Sequence, residues 1–162
     1  MKVNVNSEQR FFKHKDVSLD ELKYLLAKGY REIKCLNIEG KKEMYLIKPR
    51  PNEGQEHFFL TYNITEYLKS KNIPFQLFNS VKPDIVFTNN GKECAIEIET
   101  GKVYTKDKKK FKEKVRTLKE NYGDNWFFVV TNRDIAPTYN KFGKTFTRKT
   151  FIKQFEKWCK RQ

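Results

Sequence analysis

Long apolar runs are missing from this chain of 162 residues. None approaches the roughly 18 residues of a bilayer-spanning helix, so a transmembrane protein is not expected. The opening MKVNVNSEQR holds no apolar core of the kind a secretory leader carries, and no leader is expected. Cysteine is scarce as well. Cys35, Cys94 and Cys159 are odd in number, widely separated and form no C-x-x-C pair. They argue against a disulfide framework or a zinc site and for reduced thiols in a cytoplasmic protein. Acidic residues are the minority, 20 Asp and Glu against 34 Lys and Arg, which leaves a formal charge of +14. No internal repeat or low-complexity linker is visible.

What the chain does have is 38% apolar and 15% aromatic residues, enough for the core of one compact domain. The positive excess predicts attraction to polyanions, nucleic acid before anionic membrane. AT-rich coding is a competing source of the lysines. The basic residues are not evenly spread: one stretch runs from Lys102 to Lys119 and another from Lys141 to Arg161.

Hydrophobic patterning gives an order of elements. Val17 to Tyr30 reads as an amphipathic helix, with Ser18 and Glu21 as a capping box and Gly29 as its stop. Glu32 to Ile38 and Glu43 to Ile47 read as strands of a hairpin. This helix and hairpin, residues 1–50, form a small appendage, wing-like or serving as a cover for the main sheet. The punctuated loop from Lys48 to Gly54 marks the boundary with residues 51–162. Then follow a helix from Gln55 to Lys71, strands at Phe75 to Phe78, Asp84 to Thr88 and Cys94 to Thr100, and a helix from Asp107 to Asn121. The buried strand Trp126 to Thr131 and a helix from Arg148 to Lys160 complete the order α-β-β-β-α-β-α. This predicts an α/β sandwich with a mixed sheet.

The middle of the chain carries the chemistry. Asn90-Gly91 is a strong signal for a two-residue hairpin turn. Placing it there pairs Asn89 with Lys92 and, stepping back, Asp84 with Glu97. Alternation then puts Ile85, Phe87, Cys94, Ile96 and Ile98 on a core face. The other face holds Asp84, Val86, Thr88, Glu93, Ala95, Glu97 and Glu99. Like charges directly opposite one another destabilise a strand pair. Either water screens them, or a divalent cation lies between them, and carboxylates with water suit Mg²⁺. Val86 and Ala95 on that face predict a partial cover, and the helix from Gln55 is the candidate. Its stripe of Leu60, Ile64, Tyr67 and Leu68 brings His57 onto the same line and Glu56 onto the flank. These two first-turn residues either project toward the carboxylates or merely cap the helix, with His57 half buried.

Pro83-Asp84, then Glu97-Ile98-Glu99 thirteen residues later, within α-β-β-β-α-β, resembles the PD-(D/E)xK nuclease superfamily over about residues 55–131. The fuller string, Glu56-His57, then PDIVF, then AIEIETGK, looks like a branch found in mobile elements, viruses and archaea. The resemblance implies a restriction-endonuclease-like fold and Mg²⁺-dependent hydrolysis of DNA phosphodiester bonds, with Mn²⁺ as substitute and branched DNA as a candidate substrate. Carried over by position, Asp84 and Glu97 become metal ligands and Glu56 the helix carboxylate. Glu99 stands where the superfamily has lysine, and becomes a third ligand or the base. Lys102, after Gly101, is the candidate to stabilise charge on the phosphate.

Lys108, Lys112, Arg116 and Lys119 on the Asp107 helix are candidates for DNA phosphate contacts; a solvated face interleaved with Glu113 and Glu120 is the alternative. The resemblance alone makes a homodimer a candidate; the cytoplasm expected from the thiols is that of a prokaryote or of the host of a virus. The competing function is a catalytically inactive DNA-binding or interaction module of the same fold. All of this requires acidic oxygens from neighbouring strands to meet closely enough to chelate one ion.

Overall fold

The computed structural model describes residues 3–6, 8–78 and 82–162. The first unit consists of β1 (Phe11–Lys13), α1 (Leu19–Ala27), β2 (Arg31–Leu36) and β3 (Lys42–Ile47), with an antiparallel sheet in the order β1-β3-β2. The expected capping box starts α1. Ser18 Oγ accepts from the Glu21 N–H at 3.3 Å, and the Glu21 carboxylate accepts from the Ser18 N–H at 2.9 Å. β1 is an addition to the sequence reading; three residues are too few to display a period.

The second unit runs α2 (Gln55–Ser70), β4 (Phe75–Leu77), β5 (Ile85–Asn89), β6 (Lys92–Glu99), α3 (Lys102–Lys106), α4 (Lys108–Tyr122), β7 (Trp126–Val130), α5 (Ala136–Tyr139), β8 (Thr145–Thr147) and α6 (Phe151–Arg161). Its five strands lie in the order β4-β5-β6-β7-β8. The first three are antiparallel, and β6, β7 and β8 are parallel. A mixed sheet flanked by helices, beside a separate small sheet, is thus the α/β architecture. The short α3, α5 and β8 join the elements expected from patterning.

The hairpin register is the one the sequence dictates. Asn90 and Gly91 both adopt positive φ, 49° and 74°, as a type I′ turn requires. Asn89 pairs with Lys92 and Ile85 with Ile96. Two apolar layers then form on opposite faces of the sheet. On one, Leu60, Ile64 and Leu68 of α2 and Phe151, Phe155 and Trp158 of α6 meet Ile85, Phe87, Ile96, Ile98, Phe127 and Val129. On the other, Phe111, Val115 and Leu118 of α4 pack on Ala95, Trp126, Phe128 and Val130.

One expectation is corrected here. The helix from Gln55 lies on the apolar face opposite, its first turn alone reaching Asp84, and α4 covers Glu97 and Glu99. The broad stripe of α2 needs a fully apolar partner, which that face supplies. The connection from β6 to its parallel neighbour β7 carries α4 over the remaining face.

The small sheet is not a cover for the main sheet either. Phe11, Ile33, Cys35, Tyr45 and Ile47 pack on Phe58 and Phe59, the outward side of α2. That helix is therefore shared between the two sheets, and the loop from Lys48 to Gly54 lies at the junction. No helix among the described residues is long and apolar enough to cross a membrane. Cys35, Cys94 and Cys159 are free thiols.

Candidate functional site

Asp84 precedes the first residue of β5, and extending the ladder by one step sets it opposite Glu97. Because β5 stops there, the Ile98 N–H on β6 has no strand carbonyl to meet. It donates instead to Asp84 Oδ2 at 2.8 Å. Asp84 Oδ1 lies 3.1 Å from His57 Nε2 in the first turn of α2. The other ring nitrogen, Nδ1, is 3.3 Å from Glu53 Oε1. Glu53 is held in a turn, its N–H donating to the Arg50 carbonyl at 3.1 Å. Burial opposes a charge on His57, but hydrogen bonds to Asp84 and Glu53, and the charges of both, outweigh it and lift its pKa to about 10. At neutral pH the imidazole is a cation clamped between two carboxylates.

Glu97 and Glu99 point into the layer between β6 and α4, with only 6% and 3% of their surface exposed. Water screening is thereby removed as the answer to their mutual repulsion. Lys114 supplies the counter-charge, its Nζ 2.6 Å from Glu97 Oε1 and 2.9 Å from Glu99 Oε1. The Tyr139 hydroxyl donates to Glu99 Oε2 at 3.0 Å, so both Glu99 oxygens are engaged. Burial, followed by the charge of Asp84, holds Glu97 well above the usual carboxylate range despite Lys114. Lys114 itself is raised: burial works against its charge, and the two carboxylates prevail.

A pH effect follows from Glu97. Its folded pKa exceeds its unfolded one, so its contribution to stability is complete below about pH 4.5 and is lost as pH rises through the folded value. Thermal unfolding of the metal-free protein across that range should show this loss, and Glu97→Gln should flatten it. An equal slope in both proteins would remove Glu97 as the cause.

Asp84 and His57 open onto a cleft of about 420 Å³, whose walls include Arg50, Glu53, Phe78 and Lys102. Gly101, with φ of 90°, makes the left-handed turn that ends β6 and sends Lys102 back toward the site as the first residue of α3. Arg50 and Lys102 enter none of the ion pairs among the described residues.

The residues singled out from sequence are therefore only partly brought together. Asp84, His57 and Lys102 line one cleft, and Glu97 lies buried beside it, close enough to feel the charge of Asp84. Glu99 lies one step further along the same face, locked by Lys114 and Tyr139. Glu56 is turned away, paired with Arg148 at the junction with the small sheet. Lys108, Lys112 and Arg116 line a shallow groove on the outer side of α4, with Lys119 exposed on the same helix. Pattern reading missed Glu53, whose i,i+4 spacing to His57 was visible, and Lys114, three residues after Phe111 and four before Leu118.

Whether this donor set fits Mg²⁺ turns on how many ligands the ion needs. Among the described residues no group of three or more His, Cys, Asp or Glu is arranged to hold a metal, so a full protein cage of the zinc or calcium kind is not built. Mg²⁺ asks for less, one or two carboxylates with waters and substrate phosphate. Asp84 and Glu97 are the two carboxylates that would serve: Glu97 Oε2 has no protein partner among the described residues, while Glu97 Oε1 meets Lys114 and the Asp84 oxygens meet His57 and the Ile98 N–H.

No protein-family model matches the chain, and neither a curated protein nor a solved structure does so.

Proposed function

We propose that this chain is a Mg²⁺-dependent DNA endonuclease of the restriction-endonuclease-like kind. The observation that carries the reading is the Asp84–Glu97 pair: two acids set opposite each other by the hairpin register, beside a cleft with Arg50 and Lys102 on its wall, in a protein of formal charge +14. Asp84 and Glu97 would hold the ion, which when bound supplies Lewis-acid activation of the phosphodiester and of the attacking water. Arg50 and Lys102 draw the scissile phosphate toward the acids and stabilise the charge that develops on it. His57 fixes the Asp84 carboxylate in place, and Glu53 fixes His57. Lys114 stands between Glu97 and Glu99 and offsets their mutual repulsion.

Cleavage of linear, nicked, flapped and four-way DNA with Mg²⁺ or Mn²⁺ tests this, with Asp84 and Glu97 variants as controls. The exposed bases of α4 extend the reading to binding. Replacing Lys108, Lys112, Arg116 and Lys119 together by Gln should lower the slope of log affinity against log salt by about 0.9 for each duplex phosphate no longer neutralised. The cleavage rate at saturating DNA should be unchanged. An unaltered salt slope would show that this helix face is only solvated.

A second reading, an inactive DNA-binding module, is favoured by one observation. Both acids already have cationic partners, His57 and Lys114. Titration calorimetry with Mn²⁺ separates the two: heat that Asp84→Asn abolishes supports the nuclease, and no heat supports the binder.

A further inference from the structure

We propose that the cleft beside Asp84 receives one unpaired nucleotide of a DNA strand, with its base against the Phe78 ring and its phosphate between Arg50 and Lys102. The choice of nucleic acid as ligand rests on the nuclease reading; the choice of an unpaired nucleotide rests on the cleft. Leu77 pairs with Ile85, and Ile85 with Ile96. One step further, the same ladder aligns Phe78, Asp84 and Glu97 in a row across three strands. The Phe78 N–H donates to the Asp84 carbonyl at 3.3 Å, which continues the pairing to that step. A partly exposed aromatic ring is thereby fixed next to the acid pair, where catalysis alone has no use for one.

The size of the cleft, about 420 Å³, falls within the roughly 300–1,000 Å³ of small-ligand sites. That volume suits a single nucleotide. Its charge suits the same ligand. Glu53 and Asp84 both contact His57, and Arg50 and Lys102 enter no ion pair among the described residues, so these two remain available for a phosphate. The Lys82 ammonium lies over one face of the Phe78 ring, 4.6 Å from its centroid, and adds a cation there, so a stacked base would take the other face. An aromatic platform with flanking cations is how proteins hold single strands, because every base has a face to stack. A flap, frayed end or branch point presents such a nucleotide. Continuous duplex does not.

The test is binding of the full-length chain to a fluorescein-labelled dT₁₂ strand and to a blunt duplex of equal length, by anisotropy in EDTA so that nothing is cut. Phe78→Leu keeps the apolar bulk and removes the ring; Phe78→Ala removes both. Each should weaken single-strand binding roughly 5- to 100-fold and leave duplex binding unchanged. Phe78→Trp should retain binding, with indole fluorescence quenched as dT₁₂ is added. Joint replacement of Arg50 and Lys102 by Gln should reduce the single-strand salt slope by about 0.7 for each phosphate left without its cation.

Equal single-strand affinity in wild type and Phe78→Leu overturns the proposal, as does indole fluorescence of Phe78→Trp that dT₁₂ leaves unquenched. Misfolding of the Ala variant does not affect the Leu and Trp arms. The outcomes are separable from those of the nuclease reading. DNA cleavage that needs Asp84 but ignores Phe78 keeps the nuclease and rejects this site. Ring-dependent single-strand binding without cleavage under any divalent ion does the reverse.

Discussion

On the proposed nuclease reading, Asp84→Asn and Glu97→Gln should each lower Mg²⁺-dependent DNA cleavage by more than about 100-fold. Loss of a group that merely supports a metal ligand typically costs 10- to 100-fold, so loss of a ligand itself should exceed that. The amides are the informative choice. Asn at 84 retains an oxygen for the Ile98 N–H, the hydrogen bond that closes the end of the β5–β6 ladder at 2.8 Å. Gln at 97 keeps the side-chain volume in the layer under α4 while removing a charge that burial already disfavours. Both variants should therefore fold, as circular dichroism and thermal unfolding will report, and both should fail to give calorimetric heat with Mn²⁺. Glu56→Gln is the contrasting control, since Glu56 faces Arg148 and not the acids; its cleavage rate should match wild type. Parent-like cutting by either amide variant removes the acid pair from the chemistry.

The second large effect is on stability. Lys114→Met destabilises the fold by about 3–5 kcal/mol, the usual cost of removing one partner from a buried ion pair. The lower end is expected, because 29% of the Lys114 side chain remains exposed. The loss comes from what stays behind: two carboxylates at 6% and 3% exposure with no ammonium between them. This gives a signature that poorer packing would not. Without Lys114 the raised Glu97 loses the charge that opposes its shift, so the deficit shrinks toward pH 4.5 and grows as pH rises. Adding Glu97→Gln and Glu99→Gln to Lys114→Met should recover most of the stability. Urea unfolding of the single and triple variants at two pH values measures both effects. A pH-independent deficit that the triple variant does not relieve would reduce Lys114 to a packing residue.

Particular residues show what could be read in advance. Asn90-Gly91 carried the register, because a type I′ turn admits few residue pairs, and a side-chain period of two then placed Asp84 opposite Glu97 without any knowledge of the fold. Ser18 and Glu21 likewise announced the start of α1, since a capping box is complete within four residues. The helix that covers the acids was misassigned because two helices had apolar stripes and nothing local distinguishes the faces of a sheet. That error concealed Lys114, which reads as one more lysine in a basic helix until α4 is laid on β6. Glu53 was passed over for a related reason. It precedes α2, and only the folded turn at Arg50–Glu53 brings its carboxylate to His57.

Sequence alone was enough to set the charge, the order of the main elements and the one strand pairing from which the acid pair follows, since each depends on composition or on residues close in the chain. Tertiary structure decided which cation answers which acid: His57 for Asp84, Lys114 for Glu97 and Glu99, Arg148 for Glu56. The physical reason is range. Backbone pairing and capping act over a few residues, whereas a buried charge is satisfied by whichever opposite charge the packing of distant helices delivers.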